Sequence, residues 1–313
     1  MKKQIASFLL LTFLCLLNLS SAGFPGKPSH EIHSVICGYG EREVDFKITY
    51  KITVKGHLDN LKLKMIIPAD IKDRQKLNKL NFSIKPDSIY TNNNNSYAVF
   101  SFKDLSKDFK LVLKGRLVIY NTIKIEADSA NQDFKKYLVA EENIETGSEK
   151  ITSVAKTLRQ RTDIETIMKT FDYVTNHIRY EKNDAIGAEK VLALGIGKCM
   201  DYSDLFVALL RTNNIPAKSI FGIVVDELGK NPLHAWPEAY LQKQGWVRFD
   251  PTTGNSEIIP NGKNYKIRID NTYITLSEGR NDPELHTSIL SYYVDPIYAD
   301  KVNIDVSFDI SGQ

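Results

Sequence analysis

Three side chains in the second half of the chain have the types and order that acyl transfer at a thiol requires: Cys199, His234 and Asp250. A cysteine attacks an acyl carbon as its thiolate, whereas a free thiol is mostly protonated near neutral pH, so its surroundings must favour the anion. A histidine beside the sulfur can take that proton and return it to a leaving group. A carboxylate can hold the imidazole in the useful orientation. Singly, each residue has a plainer reading: Cys199 as a small buried apolar group, His234 as a loop histidine, Asp250 before Pro251 as a turn residue. What lies around them decides between the two.

Gly197-Lys198-Cys199 is followed by Tyr202, Leu205, Phe206, Leu209 and Leu210, apolar positions at helical spacing, so Cys199 opens an amphipathic helix. The unpaired N–H groups and positive dipole end of a helix start stabilise an anionic sulfur, and a glycine just before it allows close approach of a substrate. Asn213-Asn214 and Pro216 end that helix, and residues 220–225 read as a buried strand. Residues 234–241 and 246–250 read as two further strands joined around Gly245. Antiparallel neighbours lie ~5 Å apart, so such a hairpin brings His234 and Asp250 to one sheet edge within side-chain reach. The Cys199 backbone N–H is a natural first oxyanion donor, and Asn183, in the loop before the cysteine helix, is a candidate second.

The elements before this region follow two periods. From residue 44 to 55 the apolar residues Val44, Phe46, Ile48, Tyr50, Ile52 and Val54 alternate with polar ones, which predicts a half-buried strand. Leu61 to Ile67 and Phe109 to Ile119 repeat the pattern, with weaker strands expected over 82–89 and 97–102 and a polar loop over 92–95. Several one-faced strands must bury those faces against a second layer, so the first part reads as an antiparallel β-sandwich. The period then changes at Thr162-Asp163-Ile164-Glu165, a capping-box sequence, and Ile167, Phe171 and Val174 continue at helical spacing. A short helix is expected over 188–194. The resulting division is a leader over 1–22, a β-sandwich over 23–145, and an α+β domain over 146–313 whose tail supplies further strands over 265–269, 273–276 and 302–310.

The leader rests on Met1-Lys2-Lys3, an apolar run from Ile5 to Leu17 and Ser20-Ser21-Ala22, the pattern of a secretory signal with cleavage after Ala22. The expected location is therefore secreted or periplasmic. The formal charge of +3 falls toward neutrality once Lys2 and Lys3 are removed, which gives no reason to expect nucleic acid as a partner. Of three cysteines, Cys15 goes with the leader, leaving Cys37 and Cys199, too few for a disulfide framework, although one bridge between them is allowed. His177, His286, His30 and His33 lack metal-ligand spacing, and no metal or cofactor is expected.

Gly197-Lys198-Cys199, Leu209-Leu210-Arg211, Ile215-Pro216-Ala217, His234-Ala235-Trp236 with Glu238 and Tyr240, and Gly245-Trp246-Val247 through Phe249-Asp250-Pro251-Thr252 together resemble the bacterial transglutaminase-like family. The resemblance covers roughly residues 160–255, and Gly279-Arg280-Asn281-Asp282 echoes a later Gly-Arg-Asp segment with Asn281 inserted. Pro237 after His-Ala-Trp departs from the pattern. The resemblance implies a papain-like α+β core with an antiparallel sheet, in which Cys199 is nucleophile, His234 base and Asp250 orienting acid. The expected activity is cysteine-dependent acyl transfer on a peptide or protein substrate, cell-wall peptides included for a bacterial source, with hydrolysis favoured. The alternatives are transfer to an amine, as in a protein-glutamine transglutaminase, and an inactive binding or assembly protein.

Overall fold

The computed structural model describes residues 32–34, 41–120, 133–181, 187–225, 233–261, 264–267, 271–280, 282–285 and 288–312. The leader, Cys37, Asn183, Asn281 and His286 lie outside the described residues. No described helix is long and apolar enough to cross a membrane.

Two four-stranded antiparallel sheets form the first unit. One runs, in order, Val302–Gly312, Arg42–Val54, Phe109–Ile119 and Gln75–Phe82; the other runs Leu290–Tyr293, Leu58–Ile67, Asn95–Leu105 and Ser88–Asn92. The alternation legible from Val44 to Val54 is realised, with each of those six apolar residues buried against the facing Leu61, Leu63 and Met65. At 1.5–3 kcal/mol for each fully buried side chain, this interleaved layer is the main reason the sheets stay together. Asn93 and Asn94 both have positive φ, 48° and 68°, and make the tight hairpin between strands 88–92 and 95–105.

Two sequence expectations need correction here. The strand expected over 82–89 is a crossing: Ser83 N–H donates to Val112 O in one sheet and Asp87 N–H to Val99 O in the other, with Pro86 between. The apolar alternation continues while the chain changes sheets. The C-terminal strand, grouped above with the second domain, pairs residue for residue with Arg42–Val54 from Val302↔Val54 to Gly312↔Val44. Leu290–Tyr293 pairs likewise with Leu58–Ile67. The tail thus returns to complete the sandwich.

The second unit has helices Glu149–Leu158, Asp163–His177, Ala188–Leu194 and Cys199–Thr212 packed on a five-stranded antiparallel sheet. Its order is Asn255–Ser256, Gly245–Asp250, Leu233–Leu241, Ala217–Val224 and Tyr273–Glu278. The capping box forms as written: Glu165 N–H donates to Thr162 Oγ1, and Thr162 N–H donates to Glu165 Oε2 at 3.1 Å. Helix Cys199–Thr212 is buried from Asp201 through Arg211, enclosed by the other helices on one side and the sheet on the other. The two units share one apolar cluster, in which Ile223, Ile274, Leu276 and Leu285 join the sandwich core. Polar anchors cross the same boundary: Gln75 exchanges two hydrogen bonds with the Thr275 backbone, and Arg74 forks onto Glu257 at 2.6 and 3.0 Å.

Deleting residues 302–312 should therefore damage the sandwich rather than trim a loose tail. Losing the apolar contacts of the partly buried Ile304, Val306, Phe308 and Ile310 and the ladder to Arg42–Val54 should lower the thermal midpoint by about 10 °C or more. A truncated chain that melts within about 2 °C of the full chain by circular dichroism would contradict this pairing.

Candidate active site

Cys199 is the first residue of its helix, a free thiol of intermediate exposure, and it caps an element otherwise buried almost all round. The N-terminal turn is closed by Asp201, whose Oδ2 accepts from the Lys198 N–H at 2.7 Å. Gly197 makes that turn possible, because a Cβ there would meet the Asp201 Cβ at 2.7 Å. The thiol is thereby held at a fixed helix start with free N–H groups beside it.

His234 and Asp250 come together as the sequence reading requires, by a slightly different route. The ladder between strands Leu233–Leu241 and Gly245–Asp250 runs from Leu241↔Gly245 to Glu238↔Arg248 and stops there. Carried on, that register would set Trp236 rather than His234 opposite Asp250, so the His234 to Asp250 bond is a diagonal contact. His234 Nε2 and Asp250 Oδ2 are 2.8 Å apart. This leaves Nδ1 for the sulfur, and Cys199 stands close enough to the imidazole to favour its charged form. Pro237 pairs with Ser219 on the neighbouring strand and lies just past the end of the Glu238↔Arg248 ladder. It interrupts nothing there, because that half of the strand has a neighbour on one side only.

Asp250 is almost wholly buried, and both its oxygens are satisfied. Oδ1 accepts from the Thr252 and Thr253 N–H groups at 3.2 and 3.4 Å, and Oδ2 accepts from the Tyr273 hydroxyl at 2.8 Å as well as from His234. Nothing in the sequence marked Tyr273 as part of this group. Tyr180 was missed too: it lies on the short strand Arg179–Tyr180, paired to Ile196–Gly197, stays 59% exposed, and is close enough to Cys199 for the sulfur to influence its phenol.

Other residues singled out by the sequence take structural places. Trp236 is buried and lies beside the His234 ring, with centroids 6.2 Å apart, whereas Trp246 sits at the far end of its strand among Phe134, Tyr137 and Tyr240. Arg211 is buried and donates to Val139 O and Ala217 O while pairing with Glu141. His177 binds Leu192 O. Arg280, from the Gly-Arg-Asn-Asp segment, donates Nε to both carboxylate oxygens of Asp204 at 2.8 Å and so ties the cysteine helix to the chain beyond the sheet. Asp282 binds Asn95 and Tyr97 of the sandwich. A cavity of about 900 Å³ lies toward the sandwich between Leu80, Lys218, Trp246 and Glu278 and takes in none of the three site residues. Among the described residues no three His, Cys, Asp or Glu side chains converge as a metal site would need.

The electrostatics follow from this packing. Burial opposes a charged His234, but the bonds to Asp250 and Cys199 outweigh it and push the imidazole up to about 9. Burial likewise opposes an ionised Asp250, and His234, Tyr273 and Thr253 together hold its carboxyl below the ordinary value. A histidine raised in this way adds stability that is fully present below about pH 6.5 and lost as the pH rises through about 9. Followed by NMR, the His234 ring should titrate near 9 in the wild type and move down toward its ordinary value in Asp250→Asn. A wild-type midpoint at or below about 6.5 would contradict the geometry.

Residues 152–251 match the transglutaminase-like superfamily. An uncharacterized protein of Haemophilus influenzae is 28% identical over 256 residues, covering 66% of this chain and 68% of that one. YebA of Bacillus subtilis, also uncharacterized, is 33% identical over 98 residues, but the match spans only 13% of its length. Among solved structures, a candidate cysteine protease from Cytophaga hutchinsonii superposes with a TM-score of 0.65 at 14% identity, covering 88% of this chain and 91% of that one. That likeness extends the shared fold across both the strand-rich unit and the α+β core. The segment that carries Cys199, His234 and Asp250 is thus the part of the chain that resembles the transglutaminase-like superfamily.

Proposed function

We propose that the chain is an exported cysteine-dependent acyl-transfer enzyme acting on amide or peptide substrates through a thioester on Cys199. The observation that carries this reading is a helix-start thiol close enough to His234 to favour its charged form, with His234 bonded in turn to a buried, fully satisfied Asp250. The Met1-Lys2-Lys3 leader supports export.

The steps follow from the geometry. With the imidazole titrating near 9, the thiol proton already rests on His234 near neutral pH, so the sulfur bonds to the substrate carbonyl carbon as thiolate and the oxygen takes the negative charge beside the helix-start N–H groups. When the tetrahedral intermediate collapses, the C–N bond breaks and the imidazolium gives its proton to the departing amine. Water then adds to the thioester and loses a proton to His234. The C–S bond breaks and the imidazolium keeps that proton beside the freed thiolate, which restores the starting state. Asp250 holds the imidazole and stabilises its charge throughout without taking a proton itself. An amine in place of water would give transamidation; hydrolysis is favoured because water is always present. In the rival reading, a binding or assembly protein, the triad would be idle.

Mass spectrometry of a peptide library incubated with and without a primary amine separates these readings. Cleavage, deamidation and amine incorporation give distinct mass changes, and each should vanish in Cys199→Ala. Asp250→Asn should keep the fold and lower kcat by up to ~10⁴. A broad library left unchanged by the wild type would favour the binding reading.

A further inference from the structure

We propose that Tyr273 is a positioning residue for the Cys199, His234 and Asp250 site, and that the N-terminal sandwich fixes it through a buried chain of contacts, Arg74 to Glu257 to Arg248. This rests on the reading of those three residues as the reacting group, and goes beyond it by giving the sandwich a part in the chemistry.

The first observation is where the phenol binds. A carboxylate offers about four acceptor positions. On Asp250, two are taken by the turn that follows it, and the Tyr273 hydroxyl shares Oδ2 with His234 Nε2, each at 2.8 Å. Tyr273 comes from the sheet strand Tyr273–Glu278, and the strand Ala217–Val224 lies between it and the His234 strand. Gly222, the residue on that intervening strand paired with His234, has no side chain, and a Cβ there would meet Ile274 O at 2.1 Å and Trp236 Cη2 at 2.6 Å. The sheet is pinched at this point, which keeps Trp236 and the strand of Tyr273 close together.

The second observation is what holds the ring. Trp236 meets it edge-on with centroids 5.0 Å apart, and the Arg248 guanidinium lies 3.9 Å from its centroid, an attraction of cation to ring face that also restrains the ring plane. Arg248 is itself held: its Nη2 lies 3.1 Å from Glu257 Oε1, and its backbone N–H donates to Glu257 Oε2 at 2.9 Å. Glu257 is buried and receives both arms of Arg74, whose Nη2 also donates to Trp246 O at 2.7 Å. Arg74 belongs to the turn that opens the sandwich strand Gln75–Phe82, and its carbonyl accepts from the Tyr120 N–H. Each link is a charged or ring contact inside the protein, where such contacts are strong and moving one displaces the next.

Among the described residues, the charged and titratable groups facing His234 and Asp250 include Cys199 from the helix and Tyr273 from the sheet, with Arg248 behind the Tyr273 ring. Removing the phenol leaves His234 alone on Oδ2, so the imidazolium is held more tightly and Asp250 is less firmly placed.

The test follows His234 by NMR titration and Cys199 alkylation by iodoacetamide across pH in wild type, Tyr273→Phe, Arg74→Lys and Arg74→Gln. Tyr273→Phe should raise the His234 midpoint on the order of 0.5–1 pH unit and shift the alkylation profile with it. Arg74→Gln should produce a smaller shift of the same sign, and should add little to Tyr273→Phe when the two are combined. If Arg74→Gln does not fold, Arg74→Lys, which keeps the charge and loses the fork, carries the same prediction. Superimposable profiles for wild type and Tyr273→Phe would overturn the positioning role. A shift in Tyr273→Phe with none in either Arg74 variant would overturn the link to the sandwich. Neither readout needs a substrate, so failure of the acyl-transfer reading would show as absent turnover with these shifts intact.

Discussion

The 2.8 Å bond between His234 and Asp250 is the constraint around which the second unit is organised. A buried carboxylate is costly unless its oxygens are filled, and here two backbone N–H groups, a phenol and an imidazole fill them. Because the bond is diagonal across a ladder that has already stopped, neither strand alone determines it. It exists because the hairpin sets the distance, the turn at Thr252 and Thr253 aims the carboxylate, and the buried helix delivers a thiol to the remaining imidazole nitrogen. The same bond sets the charge on the imidazole, pushing its titration up to about 9 against the effect of burial.

The cysteine helix meets the complementary demand. Its position is set by burial from Asp201 to Arg211 and by two internal ion pairs: Asp204 with Arg280 near its start and Arg211 with Glu141 at its end. Burial pushes the Asp204 carboxyl up to about 8 even with Arg280 opposing it, so the pair serves to fix geometry more than to add stability. The thiol can remain partly exposed because the rest of the helix cannot move.

Much of this was legible in the sequence, for definite reasons. The period-2 run from Val44 to Val54, the Thr162 to Glu165 capping box and the helical spacing after Cys199 are local signals, and local sequence determines them. The order of Cys199, His234 and Asp250, with the motifs between, gave the candidate site. What stayed hidden depends on contacts distant in sequence. Arg280 reaches Asp204 76 positions away, Tyr273 reaches Asp250 across the sheet, and strand Val302–Gly312 finds Arg42–Val54 only after the chain has built the whole second unit. Residues 82–89 misled because Phe82, Ile84 and Ile89 keep alternating while the chain passes from one sheet to the other. Helix Glu149–Leu158 was missed because it buries only Ile151, Ala155 and Leu158.

The central claim is that Cys199 becomes acylated with His234 as its proton partner. The direct measurement is the mass of the Cys199 peptide after brief incubation with an activated amide or peptide substrate and acid quench, before and after hydroxylamine. The account predicts an acyl adduct on Cys199 that hydroxylamine removes, formed by wild type and absent from His234→Ala. A wild-type protein that accumulates no thioester while turning the substrate over, or an adduct formed equally well without His234, would contradict it.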